Sequence, residues 1–201
     1  MKKIAMFSLL AGLTGLSFTP IAINLEIGAS MPKRDVKMKS TSGKEVSLKE
    51  VAGTKGTLVI FSCNTCPYVV KNEERTKNIL KYAASKSIGV IILNSNEAYR
   101  DKEDSFDAMK AYAEKQEYAI NYVIDKNHEI ADAFGASRTP EIYLFDDNNK
   151  LTYHGAIDDS PANAAAVKRE HLKEAINEMA AGKEVSVKTS RSIGCGIKRL
   201  G

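Results

Sequence analysis

Two continuous apolar segments separated by a helical pattern constrain the fold of this chain more than any other feature. They read TLVIFS at residues 57–62 and IGVIILN at 88–94, and neither alternates with polar residues. A strand that is apolar throughout is buried on both faces, as parallel strands joined by a crossover helix are. The intervening helix, predicted from Pro67 to about Lys86, would turn one side inward, carrying Val70, Ile79, Leu80 and Ala83. The sequence therefore predicts a βαβ unit.

The rest of the chain extends this alternation of strands and helices. An N-terminal hairpin is predicted over 34–48, turning at Ser42 and Gly43. Further elements are predicted as helices at 104–117 and 128–135, strands at 121–125, 141–146 and 150–157, and a last helix from about Pro161 to Ala181. This order favours an α/β sandwich with a mixed central sheet and helices on both faces.

The N-terminus has the order of a secretory signal, with two lysines, a short apolar stretch and a polar end. The apolar stretch is short for a membrane span, although an uncleaved anchor or a buried helix is the alternative. We predict a signal peptide at 1–23, one domain at 24–182 and a C-terminal tail at 183–201. The protein is expected to be periplasmic or secreted, with no membrane association once the signal is removed.

The charge balance gives no indication of a polyanionic partner. The 201 residues include 29 Lys and Arg against 25 Asp and Glu, so the formal net charge is only +4. No basic stripe interleaved with aromatic residues occurs, and we expect no nucleic acid partner.

A Cys-x-x-Cys pair, Cys63 and Cys66, lies where the first apolar strand ends and the predicted helix begins. Helix N-termini favour a thiolate, which is the nucleophile in disulfide exchange. Haem attachment requires a His after the second Cys, where this chain has Pro67. Zinc, copper held by two thiols and a histidine, and a structural disulfide stay open as alternatives. Thiol redox chemistry is the preferred interpretation, without a metal or a cofactor.

Four segments carry a resemblance to a known family. They read LVIFSCNTCPYVV at 58–70, IILNSNEAYRDKEDSFDAMKAYA at 91–113, FGASRTPEIYLFDDNNKLTYHGAIDDS at 134–160 and SIGCGIK at 192–198. Together they resemble the peroxiredoxin-like branch of the thioredoxin superfamily, described as redoxin or alkyl hydroperoxide reductase/thiol-specific antioxidant domains. The resemblance covers the chain from about Leu25 to Lys198.

The resemblance implies a thioredoxin-like fold and a thiol-dependent oxidoreductase. It also implies a cis proline facing the thiols, and the matching position is Pro140, preceded by Thr139. An arginine near the peroxide belongs to the family pattern, and Arg138 is the candidate for it. The implied substrates are protein thiols or disulfides, or small peroxides, with a redox partner protein as electron donor. A thiol-based metal-binding protein or metallochaperone of the same fold is the alternative.

The peroxidatic pattern Pro-x-x-x-Thr-x-x-Cys does not occur in either cysteine frame. Counting back from Cys66, the Thr and Pro positions hold Cys63 and Val59; counting back from Cys63, they hold Ile60 and Gly56. The chain therefore lacks the hydroxyl that would hold a peroxide, and we expect slow turnover of hydrogen peroxide.

Pro67 assigns different roles to the two thiols. A residue before proline is disfavoured in the α region, and proline is favoured at the first helical position, so Cys66 is predicted to be the N-cap. Cys63 would then lie in the loop above it and be the more accessible thiol. Family analogy also makes Cys63 the accessible nucleophile and Cys66 the resolving partner. The two arguments differ on which thiol the helix end activates more, because the cap position favours Cys66.

Cys195 is the third cysteine, flanked by Gly194 and Gly196 in the tail. An odd cysteine in an exported protein suggests a partner or a reactive thiol, and a small buried hydrophobic residue is the alternative. The tail is predicted to be flexible and long enough to bring Cys195 to the Cys63/Cys66 site, where it would accept or relay a disulfide.

Overall fold

The centre of the molecule is a five-stranded mixed sheet. The computed structural model describes residues 25 to 200. Its strands are β1 Met38–Lys39, β2 Glu45–Val46, β3 Thr57–Ser62, β4 Gly89–Asn94, β5 Asn121–Ile124, β6 Arg138–Thr139, β7 Glu141–Phe145, β8 Leu151–Gly155 and β9 Cys195–Gly196. The central sheet has the order β5-β4-β3-β7-β8. Strands β3, β4 and β5 are parallel, whereas β7 and β8 are antiparallel, which confirms the predicted mixed sheet.

Helices cover both faces of this sheet, also as predicted. They are α1 Pro67–Lys71, α2 Glu73–Ser85, α3 Phe106–Lys115, α4 Glu129–Phe134 and α5 His171–Ala180. Alternate residues of β3 separate the two cores, since successive strand side chains point to opposite faces. Leu58 and Ile60 pack with α2, α3 and α5. Val59 and Phe61 pack with α4 and the N-terminal segment.

The N-terminal hairpin is confirmed as well. Strands β1 and β2 pair antiparallel, with Met38 opposite Val46 and Lys39 opposite Glu45. Gly43 turns the chain between them with a φ of +83°, a conformation that glycine adopts without steric cost. The predicted signal peptide at 1–23 lies outside the described residues. Between residues 25 and 200 no helix is both long and apolar enough to cross a membrane.

The helix predicted from Pro67 to Lys86 is two helices that meet at Asn72. The Asn72 side chain donates hydrogen bonds to the carbonyls of Tyr68 and Pro161. Asparagine side chains that bond to nearby backbone compete with regular helix, which explains the break. The break also changes which residue of the first turn faces the core. Val70 was predicted to face inward, but it is 48% exposed, and its neighbour Val69 is buried.

The last helix begins at His171, ten residues after its predicted start at Pro161. The intervening segment is held by α2 instead of continuing as a helix. Arg75 pairs with the buried carboxylate of Asp158 and donates to the carbonyls of Ser160 and Pro161. These bonds hold residues 158–161 against α2, and a short 3₁₀ helix, Ala164–Ala166, precedes α5. The inner face of α5 is formed by Leu172, Ala175 and Ile176, which are buried, and by the partly buried Met179.

The tail is fixed to the body of the molecule, which corrects the prediction of a flexible tail. Val185 and Ile197 are both buried. Ser190 Oγ accepts a hydrogen bond of 2.9 Å from the backbone N–H of Ala156. Strand β9 pairs antiparallel with β6, placing Cys195 opposite Thr139.

Candidate active site

Cys63 and Cys66 lie at the carboxyl end of β3, in the loop that enters α1. Cys66 is the N-cap of α1, with extended backbone angles of φ −63° and ψ 125°, and Pro67 is the first helical residue. This confirms the prediction made from Pro67. The predicted greater accessibility of Cys63 is wrong, because Cys63 is 2% and Cys66 4% exposed. Both cysteines belong to the apolar core that β3 shares with α2, α3 and α5.

The segment before β7 faces both thiols. The peptide bond between Thr139 and Pro140 is cis, as the family resemblance implied. Cys63 Sγ lies 3.4 Å from the Thr139 hydroxyl, and Cys66 Sγ lies 3.1 Å from the Thr139 carbonyl oxygen. Thr139 therefore touches both sulfurs, one with its side chain and one with its backbone.

Cys195 brings a third sulfur to this place. Its Sγ lies 2.7 Å from Cys66 Sγ, and its side chain is partly exposed. Arg138, the residue before Thr139, does not direct its guanidinium to the thiols. It donates to the Gly194 carbonyl at 3.2 Å and so supports the β6–β9 pair.

The sulfur contacts favour a thiolate on Cys66. A hydrogen bond from the Cys63 side chain lowers the pKa of Cys66; burial opposes this, and a further bond from Cys195 reinforces it. The contact with Cys66 raises the pKa of Cys63, and burial adds to the effect. Burial is also the main cause that raises the pKa of Cys195. Because the thiolate is the reactive form, the geometry favours Cys66 as the nucleophile, whereas the sequence analysis predicted Cys63.

A buried polar network behind the cysteine loop was not predicted from the sequence. The fully buried Asp104 carboxylate accepts hydrogen bonds from the Asn64 backbone at 2.9 Å, from the Asn94 side chain at 2.7 Å and from the Asn96 side chain at 2.8 Å. Tyr122 donates to Asn64 Oδ1 at 2.8 Å. Asn64 lies between the two cysteines of the loop, so the network fixes the loop to β4 and β5. The sequence feature that could have indicated this network is the pair Asn94 and Asn96 at the end of the apolar strand β4.

A second buried carboxylate, Glu141, holds the segment before the cis proline. It is 4% exposed and accepts 2.8 Å bonds from the backbone N–H groups of Ser137 and Arg138. His154 Nε2 lies 2.8 Å from its other oxygen. Burial raises the pKa of Glu141, but the bonds from His154 and the backbone outweigh it, so that the pKa is lowered overall. Glu141 thereby positions Thr139 against the sulfurs.

In the part of the chain from 25 to 200, no three His, Cys, Asp or Glu side chains are arranged as a metal site. His128 contacts Asp132, and His154 contacts Glu141.

Sequence comparison matches residues 26–169 to the Redoxin family model. No curated protein matches the chain.

Two solved structures share both sequence and fold with the chain. An uncharacterized conserved protein from Geobacillus kaustophilus is 32% identical over 88% of this chain and 93% of its own, with a TM-score of 0.81. A hypothetical protein from Sinorhizobium meliloti is 29% identical over 89% of this chain and 97% of its own, with a TM-score of 0.81. Peroxidoxin BcpB from Mycobacterium tuberculosis, at 12% identity, 79% and 98% coverage and a TM-score of 0.59, shares the fold alone.

Proposed function

This chain belongs to the redoxin family, and on that basis we propose that it is a thiol-disulfide oxidoreductase in which Cys66 is the nucleophilic sulfur. The observation that carries the proposal is the placement of Cys66. It is the N-cap of α1, faces the cis-proline segment, and contacts a second sulfur at 2.7 Å.

The reaction follows from these contacts. The Cys66 thiolate attacks one sulfur of a disulfide substrate, whose S–S bond breaks and releases one thiolate. A second thiol of the site then attacks Cys66 Sγ, forms an internal disulfide, and releases the other half of the substrate as a thiolate. The protein has supplied two electrons, and a redox partner protein restores the dithiol. Cys63 is the second thiol that the Cys-x-x-Cys pattern supplies.

Thr139 and Pro140 act as positioning residues in this scheme. Thr139 contacts both sulfurs, and Pro140 has no backbone N–H that could compete for them. Arg138 supports the adjoining tail through its bond to the Gly194 carbonyl.

Single-turnover reduction of oxidised glutathione by the reduced protein tests the proposal. The wild type should release two glutathione molecules per chain, and Cys66→Ser should slow the first release by at least about 100-fold. Thr65→Ser, an exposed position in the same loop, is the matched control and should stay within about twofold of wild type. Unchanged release by Cys66→Ser would refute the assignment. Tight stoichiometric binding of Cu(I) or zinc without any glutathione release would favour the metal-binding alternative.

We further propose that the protein is exported through its N-terminal signal. Export supports the redox assignment, because disulfides persist in an oxidising compartment. Fractionation of cells that express the full chain, followed by N-terminal sequencing, tests this. The expected product is a periplasmic or secreted chain cleaved near residue 23, and a full-length chain in the cytosol would contradict it.

A further inference from the structure

The tail is held across the active site on both sides of Cys195. Besides the β6–β9 pairing, hydrogen bonds of 2.8 to 3.2 Å join Arg138 to Gly194, Ile197 to Ser137, and Lys198 to Asn96. The last of these partners, Asn96, also binds the buried Asp104. The tail is therefore fixed to the same framework that fixes the cysteine loop.

Gly194 allows the tail to approach this closely. A Cβ atom at Gly194 would lie 2.1 Å from the Thr139 carbonyl oxygen, a separation at which the backbone must move. At Gly196 the nearest atom, the Ser137 carbonyl oxygen, would be 4.0 Å from such a Cβ. Of the two glycines that flank Cys195, only Gly194 is required for the approach.

The two thiols that neighbour Cys66 differ in how they are placed. Cys63 is 2% exposed and contacts the Thr139 hydroxyl inside the core. Cys195 is partly exposed and lies 2.7 Å from Cys66 Sγ. A thiol that resolves a mixed disulfide must reach the Cys66 sulfur while the substrate half leaves towards solvent, and Cys195 meets both conditions.

We propose that Cys195 is the resolving thiol of this site, so that the internal disulfide joins Cys66 to Cys195. The inference rests on the proposed function and specifies its second step. The Cys195 sulfur attacks Cys66 Sγ in the mixed disulfide, the bond from Cys66 to the substrate sulfur breaks, and the Cys195 proton passes to the departing thiolate or to water. Cys63 then stays a thiol beside Thr139.

Peptide mapping separates the two possible internal disulfides. Trypsin releases Cys63 and Cys66 together in residues 56–71 and Cys195 in residues 192–198. After one equivalent of oxidised glutathione and alkylation of the remaining thiols, we expect these two peptides to be linked, in the wild type and in Cys63→Ser. A disulfide confined to the 56–71 peptide, with Cys195 alkylated, would overturn the inference.

The rate at which the second glutathione is released provides a kinetic test of which thiol resolves the mixed disulfide. Cys195→Ser should retain the first release and slow the second by at least about tenfold, because the mixed disulfide accumulates. An unchanged second release would assign resolution to Cys63 and refute the inference. Loss of the first release from every variant and from wild type would instead refute the proposed function itself.

Substitutions of Gly194 and Gly196 test the position of the tail without removing a thiol. Gly194→Ala keeps all three cysteines but displaces the tail, and it should slow the second release by about tenfold. Gly196→Ala makes the same chemical change two residues away and should stay within about twofold of wild type. Equal effects of the two substitutions, or no effect of Gly194→Ala, would show that docking of the tail does not present Cys195.

Discussion

In the proposed reaction Cys66 is the residue on which the chemistry depends, and its protonation determines the working pH. Hydrogen bonds from the neighbouring thiols lower its pKa, and an unperturbed cysteine has a pKa of about 8.5. The thiolate fraction, and with it the alkylation rate, should therefore be near its maximum at pH 7. The rate should fall only when the pH decreases towards the lowered pKa.

Iodoacetamide alkylation followed by mass spectrometry across pH measures this directly. In Cys66→Ser the remaining thiols should react only at alkaline pH, because burial, which the substitution leaves in place, raises the pKa of both Cys63 and Cys195. A Cys66 rate that rises through pH 8.5 like that of an ordinary thiol would contradict the assignment.

Hydrogen peroxide should be a poor substrate. Neither cysteine frame carries the peroxidatic Pro and Thr, and the hydroxyl nearest the sulfurs, that of Thr139, contacts Cys63 and not Cys66. Stopped-flow oxidation of the reduced protein should therefore give a rate constant far below the diffusion ceiling of about 10⁸ M⁻¹s⁻¹. A value close to that ceiling would show that another group binds the peroxide.

Substitution of Asp104 tests whether the buried polar network positions the cysteine loop. Asp104→Asn replaces one accepting oxygen by an NH₂ donor that faces other donors, and the unsatisfied groups should destabilise the protein by about 1–3 kcal/mol. Loss of the carboxylate should also lower the pKa of Cys63, which Asp104 helps to raise. Urea unfolding and Cys63 alkylation measure the two effects. Asp101→Asn, exposed in the same loop, should change neither, and an equal response of the two variants would refute this role.

At the scale of elements, the break between α1 and α2 orients the helix that Cys66 caps. Asn72 is 2% exposed and donates to Tyr68 and Pro161. Asn72→Ala removes both bonds, and only the Pro161 carbonyl keeps a side-chain donor, Arg75. The loss of two hydrogen bonds should lower the free energy of unfolding by about 1–3 kcal/mol.

Asn78→Ala is the matched control for this prediction, since Asn78 is exposed on α2. Its effect should stay within about 0.5 kcal/mol. Urea unfolding followed by circular dichroism suits both variants, because the chain has no tryptophan. Equal stabilities of the two variants would show that Asn72 does not support the break.

These elements show which features local sequence determines. Apolar runs and the constraint from Pro67 predicted β3, β4 and the N-cap at Cys66, because burial on both faces and the proline effect act within a few residues. The break at Asn72 and the late start of α5 depend on Pro161, whose carbonyl is bound by side chains from α1–α2. The Asp104 network depends on the register that places Ser62 beside Asn94. Such contacts join residues far apart in the chain, and no local pattern indicates them.

At the scale of the whole molecule, the tail closes the active site against extended polypeptides. Peptides bind many sheets by adding a strand to a free edge. Here β9 already pairs with β6, the strand that contains Thr139. Both loop cysteines are nearly inaccessible in this arrangement. The site in this state therefore suits small disulfides, or a partner that first displaces the tail.

The two candidate disulfides also differ in how they constrain the whole chain. A Cys66–Cys195 bond spans 129 positions, and the chain-entropy relation gives about 5 kcal/mol for a loop of that size. A Cys63–Cys66 bond closes a loop of four residues, for which the same relation gives about 2 kcal/mol. If Cys195 is the resolving thiol, oxidation should therefore stabilise the wild type by about 3 kcal/mol more than it stabilises Cys195→Ser.

Urea unfolding of the oxidised and reduced forms of each protein measures this difference. The comparison is made within each variant, so any packing change caused by the serine affects both redox forms and cancels. Reduced wild type and reduced Cys195→Ser should unfold at similar urea concentrations, because the tail keeps its backbone bonds to Ser137 and Asn96. Equal stabilisation of both proteins by oxidation would mean that the disulfide is the short-loop Cys63–Cys66 pair and that Cys195 remains a thiol.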